Sequence, residues 1–346
     1  MARRNLYDQR DVHQKANAEI TVFAEQNGNR VGVPVWQTVG TKLDGEILNG
    51  QQALERSGAL WKVRKDPIFT KQGETFIEIP DYKAIVREDT GKVLGQVGKK
   101  YMPLQNEEAI KVLDPIVAAG IAEYDSVGQV YGGEIFWTML KLKEDLVLPG
   151  NDRVMQYLMF LNSHNGSFSL RIFPTPMRAW CANVLASLLG KDAKNGIAIR
   201  HTRSAEARMD EAKHIIEATR GFYNDFGKLA NKLALQKMSD NQMKALVEHL
   251  FPAVENDEGE VKVSTRAQNM RDEVQKLFVE GAGHEGIRGS AWAGLNAVAE
   301  YADHHRSIRV GEGNDAGEAR FDSVMFGTGL ALKSKAYNWI EENIAA

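Results

Sequence analysis

The chain has 346 residues, 26% charged and 43% hydrophobic, with a net charge of −3. That is an ordinary globular composition, long enough for one large domain or two modest ones, and it excludes a protein that is basic all over. A single cysteine, Cys181, excludes an intrachain disulfide framework and fits a reducing cytoplasm.

Residues 1–34 are polar and rich in Asn, Gln and Arg, which predicts a mobile arm with a short helix near Val12–Glu25. The first ten residues carry no apolar run behind their charges, so no secretory signal is expected there. No window approaches the roughly 18 apolar residues of a membrane helix, and the expectation is a cytoplasmic protein with no membrane partner.

Val35-Trp36 is the first apolar anchor. Gln51–Ser57 is amphipathic and stops at Gly58, as a helix does. Leu60–Arg64 alternates apolar and polar, which is the strand period. Thr75–Ile79 and Tyr82–Glu88 are further strands, and the turn Asp89–Lys92 pairs the latter with Val93–Val97. Asn106, followed by Glu107 and Glu108, is a helix start, and that helix is expected to run over Glu107–Ala119 to Gly120.

The next stretch organises the chain. Strands are expected at Ile121–Tyr131, Glu134–Leu142, Arg153–Asn162 and Phe168–Phe173. Asn165-Gly166 is a strong hairpin signal between the last two. Pro176 sits where a helix accepts proline in its first turn, which predicts a helix over Pro176–Leu189. Beyond Thr202 the strand pattern disappears. Helices are expected at Ser204–Ala234, at Ser239–Leu250 with Ser239 as cap, at Thr265–Glu280 and at Ser290–Arg306. Glu255–Glu260 reads as an acidic loop, and Gly281–Gly289 and Gly311–Gly317 as glycine-rich loops. A last helix, broken around Gly327 and Gly329, covers Ser323–Asn343. The reading is therefore α+β. An antiparallel sheet with packed helices occupies 35–202, after the arm at 1–34, and a helical C-terminal region follows over 203–346.

Enzyme chemistry finds little support. The eight histidines show no metal-ligand spacing, and adjacent His304 and His305 point about 100° apart on a helix. There is no phosphate-binding loop with its lysine. Gly281–Gly286 fits Gly-x-Gly-x-x-Gly literally, but it follows a helix instead of a strand and reads as a flexible linker. Cys181, one helical turn from Arg178, reads as a small buried residue more than as a nucleophile. Ser167 is followed by a strand, so it is no nucleophile elbow. No cofactor is expected. A pocket formed by the His164 loop and the Arg178–Asn183 segment is the enzyme alternative.

Charge is more informative. From Phe168 to His214 there are eight Lys or Arg against four Asp or Glu, in a chain that is acidic overall. Lys99 and Lys100 stand beside Tyr101. Arginine forks and helix N-termini are natural hosts for phosphate oxygens. The expected nucleic-acid contacts are Lys99, Lys100, Tyr101, Arg178, Arg200, His201 and Arg203. Asn162, His164, Asn165, Cys181 and Asn183 form a polar junction between sheet and helix.

Those residues carry a resemblance. Asn162-x-His164-Asn165-Gly166-Ser167, Arg178-x-x-Cys181-x-Asn183 and Arg200-His201-Thr202 agree with a known family. So do Trp36, Gly98-Lys-Lys-Tyr101-x-Pro103-x-Gln105-Asn106, Trp292-x-x-x-Asn296-Ala297-x-x-Glu300-Tyr301-x-Asp303-His304, Arg320-Phe321, Phe326-Gly327 and Lys333. The chain resembles the phage/plasmid-like proteins, a family of unknown function, over nearly everything past residue 35. It departs at Asn165, where aspartate is expected. The element order is also similar to the core of single-strand annealing recombinases, in which a sheet and helix line a basic groove on an oligomeric ring. The resemblance implies a single-stranded DNA-binding, strand-annealing protein of a mobile element, acting as a homo-oligomer without a cofactor. An interaction protein that blocks a host defence is the other alternative.

Overall fold

The run Ile135-Phe-Trp-Thr-Met-Leu140 has no polar face to give to water, so a strand made from it must be covered on both sides. The computed structural model describes residues 17–18, 23–26, 29–32, 34–43, 47, 49–168, 170–178, 181–182, 197–198, 205–255, 260–310 and 315–344, and it places this strand at the centre of the main sheet. The order across that sheet is Cys181–Ala182, Arg171–Arg178, Asp152–Ser163, Ile135–Leu142, Ala122–Val130 and Gly40–Lys42. Each of these neighbouring pairs is antiparallel. Alternation sorts the side chains. Phe136, Leu140, Leu158 and Phe160 face the short helices with Leu54, Ile110, Leu113 and Ile116, and Ile215 joins them. Trp137, Met139, Tyr157, Met159 and Leu161 face Val35, Trp36, Phe321, Val324 and Met325.

A second, three-stranded sheet is inserted between Gly40–Lys42 and the other strands of the main one: Val63–Gln72, Thr75–Arg87 and Val93–Gly98, in that order. Its base is buried around Trp61, Val63, Ile85, Leu94 and Val97. Its far end, residues 69–78, is exposed throughout.

The helical region buries Phe226, Leu246, Val274, Trp292, Leu295, Val298 and Ile340 together, and Leu148 and Val154 of the main sheet join this core. Ala205–Leu235 is one helix, and Asp240–Leu250 starts at a capping box between Ser239 and Gln242. Thr265–Glu280, Ala291–Glu300, Ala316–Met325 and Thr328–Asn343 follow. The fold is α+β, with antiparallel sheets first and a helical C-terminal part, as the sequence predicts. Among the described residues, no helix is long and apolar enough to cross a membrane.

Several elements differ from the sequence reading. Pro176 does not start a helix: Arg171–Arg178 is a strand, paired along Asp152–Ser163, and Cys181–Ala182 folds back on it. Burial decides this, because Thr175 and Met177 lie in the core. The two prolines of this strand, Pro174 and Pro176, cannot donate to the ladder. Between them, opposite Thr175, the Tyr223 hydroxyl accepts from Tyr157 N (2.9 Å) and donates to Tyr157 O (2.7 Å). A side chain from the long helix is thus tied to the sheet backbone at the residue pair between the two prolines. Residues 179–180 and 183–189 of the expected helix lie outside the described residues.

The helix expected over Glu107–Ala119 is two short ones, Asn106–Ile110 and Asp114–Ala118. Thr75–Ile79 and Tyr82–Glu88 merge into one strand. Phe23–Gln26 is a strand paired with Asn29–Gly32, so the expected Val12–Glu25 helix is corrected at its end; residues 1–16 of the arm lie outside the described residues. Asn165-Gly166 is not a two-residue hairpin. Pairing stops at Leu161 opposite Arg171, and only Gly166 takes positive φ (75°). The last helix pair begins at Ala316, inside the expected glycine-rich loop, because Asp315 caps it by accepting from Glu318 N.

Candidate functional site

The described residues among those singled out from the sequence fall into two buried junctions and one exposed face. The first junction closes around Arg178. Its Nε donates to Asp152 Oδ1 (2.8 Å) and Oδ2 (2.7 Å), and its two terminal nitrogens donate to the carbonyls of Ala282 (3.2 Å) and Gly283 (2.7 Å). Trp292 Nε1 donates to Asp152 Oδ2 at 2.8 Å, and Ala282 N donates to Glu300 Oε2 at 2.9 Å. Arg178 is 2% exposed. A guanidinium with this partner set has no face left for a phosphate, so its expected role as a phosphate contact is corrected: it joins the sheet to the helical region. The Gly281–Gly286 segment is likewise no flexible linker. A Cβ at Gly286 would come within 2.2 Å of the Gly150 carbonyl oxygen, so two backbones are pressed together there. Cys181 stands opposite Arg178 in the return strand, and Asn183 lies outside the described residues.

The second junction holds His164, which is 1% exposed. Asn106 Nδ2 donates to Ala59 O at 3.1 Å, so Asn106 Oδ1 is the acceptor toward His164 Nε2 at 2.8 Å. The ring is therefore the Nε2–H tautomer, and buried Nδ1 has no partner among the described residues. Trp61 packs against this ring at 5.1 Å, and the Arg87 guanidinium lies 4.4 Å over Trp61. Burial, with Arg87 adding to it, pushes the His164 pKa down to about 4, so the ring is neutral near pH 7. Asn162 Nδ2 donates to Leu104 O. Asn165 closes its own turn by accepting from Ser167 N and Ser163 Oγ, and it donates to Glu134 Oε2. Tyr101 is half-buried and donates to Ser163 O at 3.0 Å; burial raises its pKa.

The quoted C-terminal motif residues other than Gly327 are also buried. Lys333 Nζ meets Asp303 Oδ1 at 2.8 Å with both side chains inaccessible, and Arg320 donates to Asp303 O. Among the described residues, no group of three His, Cys, Asp or Glu side chains could hold a metal.

The exposed face belongs to the three-stranded sheet. Phe69 is 51% exposed and Phe76 67%, with Ile77 and Tyr82 also open to solvent. Lys71 and Lys100 are exposed and have no side-chain partner among the described residues. Lys99 is exposed and paired with Asp81 at 2.7 Å, and its hydrogen bond lowers the Asp81 pKa. Arg200, His201 and Arg203 lie outside the described residues. Sequence reading missed Phe69 and Phe76, although Lys71-Gln-Gly-Glu74 between two alternating runs was a hairpin signal. Nothing local in the sequence could have paired Asp152 with Arg178.

Antiparallel sheets and a helical region, joined by buried polar residues such as Arg178 and Asp152, define an α+β protein. The chain belongs to the family described as a domain of unknown function (DUF932), which matches residues 93–325. No curated protein and no solved structure matches it.

Proposed function

We propose that this protein binds single-stranded DNA and promotes strand annealing for a phage or plasmid, and that the three-stranded sheet is the surface that meets the strand. The observation that carries this reading is an exposed β-ribbon with Phe69, Phe76 and Lys71 at its outer end, and with Tyr82 exposed beside Lys99 and Lys100 on the other side of a register shift in the same sheet. Folding buries aromatic rings where it can, and a cluster left exposed marks a contact surface. Aromatic platforms beside lysines suit a strand whose bases stack and whose phosphates are neutralised. Arg178 is withdrawn from the contact set, while Arg200, His201 and Arg203, outside the described residues, stay in it as proposed contacts. Annealing by such a surface requires no cofactor, and a homo-oligomeric ring or filament would extend it along the strand.

The test is a binding titration with a labelled oligothymidylate at two salt concentrations. Three lysine–phosphate contacts predict a slope of log K against log salt of about −2. Replacing Lys71, Lys99 and Lys100 together by glutamine should remove most of it. Absence of single-strand binding at low salt would overturn the proposal.

A second reading is favoured by one observation. Between Asp66 and Asp81 the ribbon carries four acids against Lys71 alone. Such a tip suits docking to a protein, as an anti-defence factor would. Sedimentation with a partner that depends on Phe69 and Phe76, without oligonucleotide binding, would select this reading.

A further inference from the structure

We propose that Phe69 and Phe76 form a slot for one unpaired base, with Lys71 holding the adjoining phosphate; this rests on the single-strand reading and adds its mode of contact. In the ribbon Phe69 is opposite Glu78 and Lys71 is opposite Phe76. Side chains directly opposite share a face, and so do residues two apart on one strand. Phe69, Lys71, Phe76 and Glu78 therefore stand on one face, and Thr70, Gln72, Thr75 and Ile77 on the other.

The two phenylalanines are diagonal neighbours, whose side chains are rooted roughly 7–8 Å apart. Stacked bases are spaced by about 3.4 Å. The gap between the rings is then roughly two stacking distances, which is room for one flat base with a ring on each side. Neither ring has an aromatic neighbour among the described residues, so each keeps a face to offer. Charge agrees with this occupant. Lys71 is directly across from Phe76 on the same face and unpaired among the described residues, while Glu78 is neutralised by Lys83 at 2.5 Å. Glu74, at the turn, is the nearest remaining acid in the ribbon's sequence. A base already paired and stacked in a duplex cannot enter the slot, so the site takes single strands. Stacking on phenylalanine reads no base edge, so it takes them with little regard to sequence.

A sandwich has a signature that separates it from two independent stacking sites. Once one ring is gone the base is no longer clamped, so removing the second ring costs little more. Affinity for a fluorescein-labelled dodecathymidylate would be measured by anisotropy for wild type, Phe69→Ala, Phe76→Ala, the double variant, and Ile77→Ala on the opposite face. All these side chains are exposed, and unchanged circular dichroism and melting would confirm that each variant folds. Each phenylalanine variant is expected to lose about 5- to 150-fold, the double variant within a fewfold of either single, and Ile77→Ala little. Multiplying losses in the double variant would show two separate bases and overturn the slot. Undiminished binding by the double variant would overturn it too, while leaving single-strand binding intact. No binding by wild type would end both proposals.

Discussion

Replacing Arg178 by alanine should destabilise the fold by about 3–5 kcal/mol, the usual cost of removing one partner from a buried ion pair. The structure shows where that cost arises. Asp152 is 9% exposed and would keep only the Trp292 N–H as a hydrogen-bond donor to its carboxylate side chain among the partners seen here. The carbonyls of Ala282 and Gly283 would lose their side-chain donors, and an unmade buried hydrogen bond costs roughly 1–3 kcal/mol. Arg178→Lys should recover only part of the loss, because one ammonium cannot span Asp152 and two successive carbonyls. Pairing Arg178→Met with Asp152→Leu should cost less than the sum of the single variants, since the double change leaves no unpaired charge. The assay is urea unfolding followed by circular dichroism, beside oligonucleotide binding for each variant. The reasoning is refuted if Arg178→Ala unfolds within about 0.5 kcal/mol of wild type, the range of ordinary surface substitutions, while losing single-strand affinity. That outcome would return Arg178 to the surface as a phosphate contact.

Two further predictions concern other joints. His164 takes its proton near pH 4 when folded and near 6.5 when unfolded, so between those values the unfolded chain binds more protons. Stability should therefore fall as pH drops from about 6.5 to 4, by about 3 kcal/mol over the window, with no contribution to slope above it. Urea midpoints at pH 7 and 4.5 should show a smaller difference in His164→Gln, and an unchanged difference would count against the assignment. Gly150 has φ of 79°, and an added Cβ would lie 2.0 Å from the Gly286 carbonyl oxygen. Gly150→Ala should cost at least about 1–3 kcal/mol, whereas Gly73→Ala, also at positive φ but in open space, should cost only the roughly 1–2 kcal/mol of the left-handed conformation. Equal melting temperatures for the two variants would show that the backbones are not in contact.

Local chemistry in the sequence determined much of this protein. Ser239 with Gln242 starts a helix, Asn49 caps Gly50–Ser57 and Gly58 ends it, and the apolar run from Ile135 forms a strand buried on both faces. These depend on neighbours within a few residues, so they were legible, and with them the α+β order of the chain. The segment at Pro174–Pro176 was not. Proline after a turn is locally a helix start, and what made it a strand was burial of Thr175 and Met177 and pairing along Asp152–Ser163. The polar cluster was visible as a list of residues, yet its meaning depended on contacts far apart in sequence. Arg178 and His164 look like site residues until Asp152, the 282–283 carbonyls and Asn106 are placed beside them. Exposure worked the other way. Phe76 read as an ordinary strand phenylalanine and Phe69 fell between the expected strands, and only the tertiary structure decided that nothing covers them, because burial is set by what packs across a face and not by the residue that stands on it.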